Sequence, residues 1–369
     1  MPADLYDLAP IFHLLAMAML IAVLPLCWVW LRHAKESTPR RIQLLTWMTL
    51  FLTFDLVMFG AFTRLTDSGL GCPDWPGCYG FATPLGANAH IQEAQENLPH
   101  GPVTFTKAWI EMVHRYLAMV VGALILTLAA FAWYRRFKLK MDSPVFWPTL
   151  SLMWVCVQGA FGALTVTMKL FPLIVTLHLL GGLTLVALLV VQAQTHQRLM
   201  HPQPRVQLDA GTWWFAWGGL GLLVVQVLLG GWVSSNYAVL ACDTFPMCQN
   251  AWWPDMNLTQ GFTLWRALGS DGHGGVLAFQ ALTGIHYVHR LFAYVVFVYL
   301  GLLAWRMHQQ TARKKIVRVL TGLLLLQLIT GLSNVVLGWP LLAAVLHTGG
   351  AAALVATMVW FLNSAEVAH

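Results

Sequence analysis

Charge is what this chain has least of. Only 10% of its 369 residues are Asp, Glu, Lys or Arg, while 58% are hydrophobic; a soluble domain has about a quarter charged residues. That composition excludes a water-soluble globule and indicates a polytopic membrane protein. A signal peptide's basic n-region and small-residue cleavage site are also missing. Asp4 and Asp7 precede the first apolar run, which is long enough to be expected to remain as a helix.

What the chain has in abundance is apolar runs of spanning length. They lie at 11–31, 42–63, 109–134, 145–167, 172–194, 212–234, 281–305, 316–336 and 341–362, giving nine expected spans. Fifteen of the twenty-one Lys and Arg residues fall in segments 32–41, 135–144, 195–211 and 306–318, all on one side of the membrane. The positive-inside rule makes that side cytoplasmic, the N-terminus external and, with nine spans, the C-terminus cytoplasmic. The net charge of +6 is a topology signal, so nucleic acid is not an expected partner.

Cysteines are few. Cys27 and Cys156 lie in apolar spans and are expected to pack there. Cys72 with Cys78, and Cys242 with Cys248, lie in two external loops, each pair with five residues between its members. An oxidising compartment permits disulfides, and Pro73, Pro76 and Gly77 supply turns in the first loop. Neither loop has four ligands at zinc-finger spacing, which weakens a zinc reading. Cys-x-x-Cys-His is absent, which excludes covalent c-type heme attachment.

The chain also repeats itself. Gly60-Ala61-Phe62 precedes the first cysteine loop and Gly230-Gly231-Trp232 the second, while Gln158 to Gly162 returns as Gln327 to Gly331. The repeat holds four spans, an even number, so its copies enter the membrane in the same orientation. The expected fold is all-α: two pseudo-symmetric four-helix bundles, residues 42–194 and 212–369, joined by a cytoplasmic linker at 195–211. Residues 1–41 add a peripheral N-terminal helix and its cytoplasmic loop.

Four histidines follow the repeat. His114 and His289 each precede an arginine, Arg115 and Arg290; His178 and His347 precede Gly181-Gly182 and Gly349-Gly350. At 1.5 Å rise per residue all four sit roughly 8–12 Å below the outer surface. A single intramembrane His is most simply a hydrogen-bonding core residue. Four at one depth, in two pairs, suit axial ligation of two hemes, and the small residues let a flat macrocycle or a neighbouring helix approach. His13, His33, His90, His100, His196, His201, His273, His308 and His369 lack the pattern.

Glu111 shares a helix face with His114, and His286 holds the matching place before His289. A carboxylate beside one heme alone suits one reactive site and one electron-transfer or structural site. The plainer reading pairs Glu111 with Arg115, Lys107 or Arg64. For Arg115 and Arg290 two readings stand level, pairing with heme propionates or snorkelling to the interface. Asp67 and Asp74 flank the first cysteine loop, and Trp75, Trp109, Trp252, Trp253 and Trp265 read as interfacial aromatics without chemistry.

The run from Gly60 through Arg64, Asp67, Cys72, Pro73, Asp74, Trp75 and Gly77 to Cys78, with Glu111-x-x-His114-Arg115 and the later His178, His289 and His347, resembles the heme A synthase family over residues 42–362. The resemblance implies oxidation of the C8 methyl of heme O to a formyl group by successive hydroxylations, with water as oxygen source. It places substrate heme O on His114 and His178, a heme b cofactor on His289 and His347, and the essential acid at Glu111. It maps the family's outer-loop cysteine pair onto Cys72 and Cys78. It also implies a bacterial inner-membrane location and partners in heme O synthase and cytochrome oxidase assembly factors, with a homo-oligomer left open. The span at 11–31 lies outside the family's minimal eight. Two other classes compete: a di-heme cytochrome b electron carrier, which has no use for an acid beside one heme, and a transporter built on a parallel repeat.

Overall fold

The structure, a computed structural model, describes residues 9–99, 101–310 and 314–368. Asp4, Asp7, His100 and His369, named above, lie outside the described residues, as does part of the basic segment 306–318, residues 311–313. Helices α1 (Ala9–Arg32), α2 (Thr38–Leu65), α3 (Asn88–Asn97), α4 (Phe105–Trp133) and α5 (Phe146–Thr167) come first. Then come α6 (Pro172–Met200), α7 (Ala210–Ser235), α8 (Leu258–Gly261), α9 (Phe279–Gln310), α10 (Lys314–Val336) and α11 (Leu341–Ser364). Among the described residues, nine helices are long and apolar enough to cross a membrane. They are the nine expected ones, and the protein is a multi-pass helical membrane protein.

Several helices outrun their apolar stretch. Past Trp133 the fourth continues as a π-helical turn, Tyr134–Lys138, carrying Arg135, Arg136 and Lys138, and α6 runs on to Met200. A helix satisfies its own backbone groups, so extending it into the interface is less costly than unwinding it at the hydrocarbon edge. Starts are set locally. Thr104 accepts a hydrogen bond from Lys107 N at 3.2 Å, and Asp209 accepts one from Thr212 N at 2.9 Å, so each caps the helix that follows. Pro25 lies inside α1, at a position where a membrane helix tolerates a missing N–H.

The chain forms two compact units. The first holds the described residues up to Leu170 together with Thr195–Met200. Within it, Ala22 and Val29 of α1 pack against Ile42 and Leu45 of α2 and against Val120, Leu124 and Leu128 of α4. Lipid is as apolar as leucine, so this contact is held by close packing rather than by expulsion of water. Leu14 at the other end of α1 joins Cys72, Cys78, Ile91, Ala108 and Met112, so the additional helix braces the cysteine loop.

The second unit holds Phe171–Gln194 and the described residues from His201 onward. Its core joins Ala216 and Leu223 of α7, Leu300, Leu303 and Met307 of α9, Leu320 and Leu324 of α10, and Met358 and Phe361 of α11. Short strands Val206–Leu208 and Ala365–Val367 pair in parallel beside it. Cys27 and Cys156 do not pack as expected: both are exposed on the outer faces of their helices.

Candidate functional site

Both expected disulfides are present, Cys72–Cys78 and Cys242–Cys248. The two loops share a plan. Each closes on a short antiparallel bridge, Cys78 to Phe81 and Cys248 to Ala251, and each carries a cis proline, at Pro76 and Pro246. All four cysteines are buried.

In the first unit, α4 presents His114 to α2. Gly60 makes room for the ring: a Cβ there would lie 3.0 Å from His114 Cε1, tighter than nearly all real contacts. Phe59 stacks on the same imidazole with centroids 6.2 Å apart and planes 8° from parallel. One turn earlier, buried Glu111 accepts the Cys72 N–H at 2.8 Å on Oε2 and an Arg115 N–H at 2.5 Å on Oε1. The expected pairing with Arg115 is therefore real, but it is half of the arrangement. Arg115 Nη1 donates to the carbonyls of Asp74, Pro76 and Gly77 at 3.0, 3.2 and 2.6 Å. Asp74 takes the N–H groups of Tyr79 and Gly80 at 2.6 and 2.7 Å, and Lys107 pairs with Asp67 at 3.4 Å.

In the second unit, α9 presents His289 to α7, and a Cβ on Gly230 would lie 3.1 Å from its Cε1. Gln226, one turn below that glycine, places its amide nitrogen 3.1 Å from His289 Nδ1. His347 on α11 meets α10 in the same way. A Cβ on Gly331 would stand 3.2 Å from its Cε1, and Thr330 Oγ1 lies 3.0 Å from its Nδ1. His347 stands within electrostatic range of His289. Gln327 donates to the His347 carbonyl at 2.8 Å, and Gly350 leaves the space its side chain fills. Of the two uses foreseen for the small residues after His347, Gly350 serves the neighbouring helix. His178 lies on α6, and its Nδ1 is buried without a hydrogen-bond partner among the described residues.

His286 turns its Nδ1–H to the Ala238 carbonyl at 3.1 Å. Arg290 Nη1 donates to the carbonyls of Thr244 and Met247 at 2.8 and 2.9 Å, and Nη2 reaches that of Cys242 at 3.3 Å. Neither Arg115 nor Arg290 snorkels; both guanidiniums are largely buried among loop carbonyls. Sequence reasoning also missed Arg266. It is 2% exposed, donates to Asn236 Oδ1 at 2.5 Å and lies over Trp232. Burial pushes its pKa below the usual arginine range.

Other histidines have ordinary surroundings: His33 meets Trp28 edge-on, His90 stacks on Tyr79, and His196 contacts Thr46. Among the described residues no three His, Cys, Asp or Glu side chains converge as a metal-binding group. A bare zinc ion needs about four protein ligands. Two imidazoles from different helices suit an iron whose equatorial positions a macrocycle fills. Glycine leaves room for the rings, and at His289 and His347 a polar group beside Nδ1 leaves Nε2 as the nitrogen to coordinate.

These features define a class, a multi-pass helical membrane protein presenting partly buried imidazoles against glycine-lined neighbouring helices. Residues 43–359 match the model of the COX15-CtaA family, cytochrome oxidase assembly protein. A heme A synthase of Shewanella oneidensis is 40% identical over 320 residues, covering 85% of this chain and 94% of the relative. One of Erythrobacter litoralis is 28% identical over 346 residues, 88% and 96% of the two chains. One of Halalkalibacterium halodurans is 24% identical over 298 residues, 79% and 86%. The chain belongs to the heme A synthase family.

Proposed function

We propose that the chain converts heme O to heme A for cytochrome oxidase by oxidising the C8 methyl to a formyl group. With water as oxygen source the conversion balances as R–CH3 + H2O → R–CHO + 4 H+ + 4 e−, passing through the alcohol. The observation that carries the reading is that an imidazole against glycine occurs in both units, Gly60 with His114 and Gly230 with His289, while a buried carboxylate accompanies only the first.

In this reading, which takes the ligand sets from the family resemblance, His114 and His178 would hold the substrate iron, and His289 and His347 would hold a resident heme b. The resident heme supplies a one-electron exit for the electrons that leave the methyl group. Glu111 is the catalytic residue. Its carboxylate is held by the N–H groups of Cys72, Arg115 and Gly71, fewer donors than its two oxygens have lone pairs, so one remains to orient a water and take its proton, and its charge favours positive charge developing at the methyl carbon. A propionate would be met by the N–H groups of Arg115 and Arg290 that the loop carbonyls leave open. The basic loops support an orientation with the N-terminus outside and the C-terminus cytoplasmic, and membership of the family supports a bacterial inner membrane. A heme O synthase and oxidase assembly factors are then its neighbours in use.

Extraction of heme from the purified protein tests the reading. Heme A or its hydroxylated precursor together with heme b is expected. Heme b alone would indicate an electron carrier, and no heme would reject both.

A further inference from the structure

The two histidines assigned to heme b differ from His178 in how their second ring nitrogen is held. Thr330 donates its own proton to the Leu326 carbonyl at 2.7 Å, so its oxygen can face His347 Nδ1, 3.0 Å away, only as an acceptor. That geometry places the ring proton on Nδ1 and leaves the Nε2 lone pair for iron. Gln226 serves His289 from α7. Its amide nitrogen lies 3.1 Å from Nδ1 and donates to the His289 carbonyl at 3.3 Å, while its Oε1 has no partner of its own; a half-turn of the carboxamide gives up that carbonyl bond and offers the oxygen to an Nδ1–H. The repeat has no such residues in its first half. Leu56 stands where Gln226 does, four residues before the glycine, and Phe161 stands in the place of Thr330, one residue before Gly162. Neither side chain can accept a hydrogen bond, and His178 Nδ1 is without one.

We propose that Gln226 and Thr330 are positioning residues that lock the tautomer and rotation of His289 and His347, and so make the heme on those two histidines a resident group. This rests on the assignment of heme b to that unit. An imidazole held on Nδ1 does not turn when iron leaves, so the ligand is ready to rebind. The same hydrogen bond raises its basicity and favours ferric iron. An exchanging substrate is better served by a ring that carries no such restraint, as at His178.

Thr330→Val keeps the shape and removes the hydroxyl, Thr330→Ser restores it, and Gln226→Leu copies the first half. Each variant is purified as the full chain, and its heme midpoint potential and the rate of heme b transfer to excess apomyoglobin are measured. Thr330→Val and Gln226→Leu are expected to lose heme about 10–100-fold faster than the parent, with a raised midpoint potential, and Thr330→Ser to return towards parental values. Residues that only fill space would leave the potential unmoved. Unchanged loss rates and potentials in both Thr330→Val and Gln226→Leu would overturn the proposal. A parent protein purified without bis-histidine heme would instead overturn the heme b assignment.

Discussion

Three residues before His114 stands a carboxylate, and three residues before His289 an imidazole, and the two have opposite hydrogen-bonding polarity. Glu111 accepts the backbone N–H of Cys72; His286 donates to the backbone carbonyl of Ala238. Each ties its helix to the cysteine loop or the segment leading into it, and the following arginine gathers that loop's carbonyls in both units. The comparison separates two duties. Fastening the loop can be done by a neutral ring, so it does not explain a buried negative charge at position 111. That charge is the difference chemistry can use.

The largest effect should come from removing a proposed heme b ligand. His289→Ala or His347→Ala is expected to abolish the tightly held heme b, because one axial imidazole cannot replace two on low-spin iron. Optical spectra and heme content of the purified variants check this. An unchanged bis-imidazole spectrum in both would break the comparison at its base, since the second unit would then not be the resident site.

Next in size is Glu111→Gln, which sharpens the contrast with His286. The amide oxygen can still accept from Cys72, so the loop and both disulfides should persist while the charge is gone. Product formation, read as the heme O to heme A ratio in membranes, should fall by about 10²–10³, the usual cost of losing one preorganised electrostatic partner. If the carboxylate serves only to anchor Arg115, the substitution costs little, and Arg115→Ala reproduces whatever defect appears. Normal heme A from Glu111→Gln would remove the residue from the mechanism.

The nine spans were legible because crossing a bilayer is a property of composition and length, which any window along the sequence samples. The disulfides were legible because each pair sits close together within one loop between spans. What touches the histidines was not. These helices are apolar on nearly every side, so periodicity does not reveal which face meets which neighbour. Gly60, Gly230 and Gly331 stood out as repeated letters, yet only the packed helices show that each faces an imidazole. Gln226 and Thr330 gave no signal beyond being polar in apolar runs. The partners of Arg115 and Arg290 are main-chain carbonyls, whose directions depend on turn geometry rather than on residue type.

The smallest expected effect concerns the feature the units share. Gly60 and Gly230 each lie against the Cε1 of a histidine, where an added methyl group would approach to 3.0 and 3.1 Å. Alanine suits a helix better than glycine, so local propensity alone would favour either substitution by about 1 kcal/mol. Crowding opposes it: the ring or the helix must move by a few tenths of an ångström, and overpacking of this kind costs about 1–3 kcal/mol. Gly122 of α4 has no atom within 4 Å of its absent Cβ and supplies the control. Gly122→Ala should leave heme content and turnover unchanged. Gly230→Ala should reduce heme b occupancy with little change in the amount of folded protein, and Gly60→Ala should lower heme A formation while heme b stays in place. The two readouts therefore divide between the units, and the measurement is heme composition of each purified variant. Loss of heme b in Gly60→Ala, with Gly230→Ala unaffected, would mean that resident and substrate sites have been assigned to the wrong histidines.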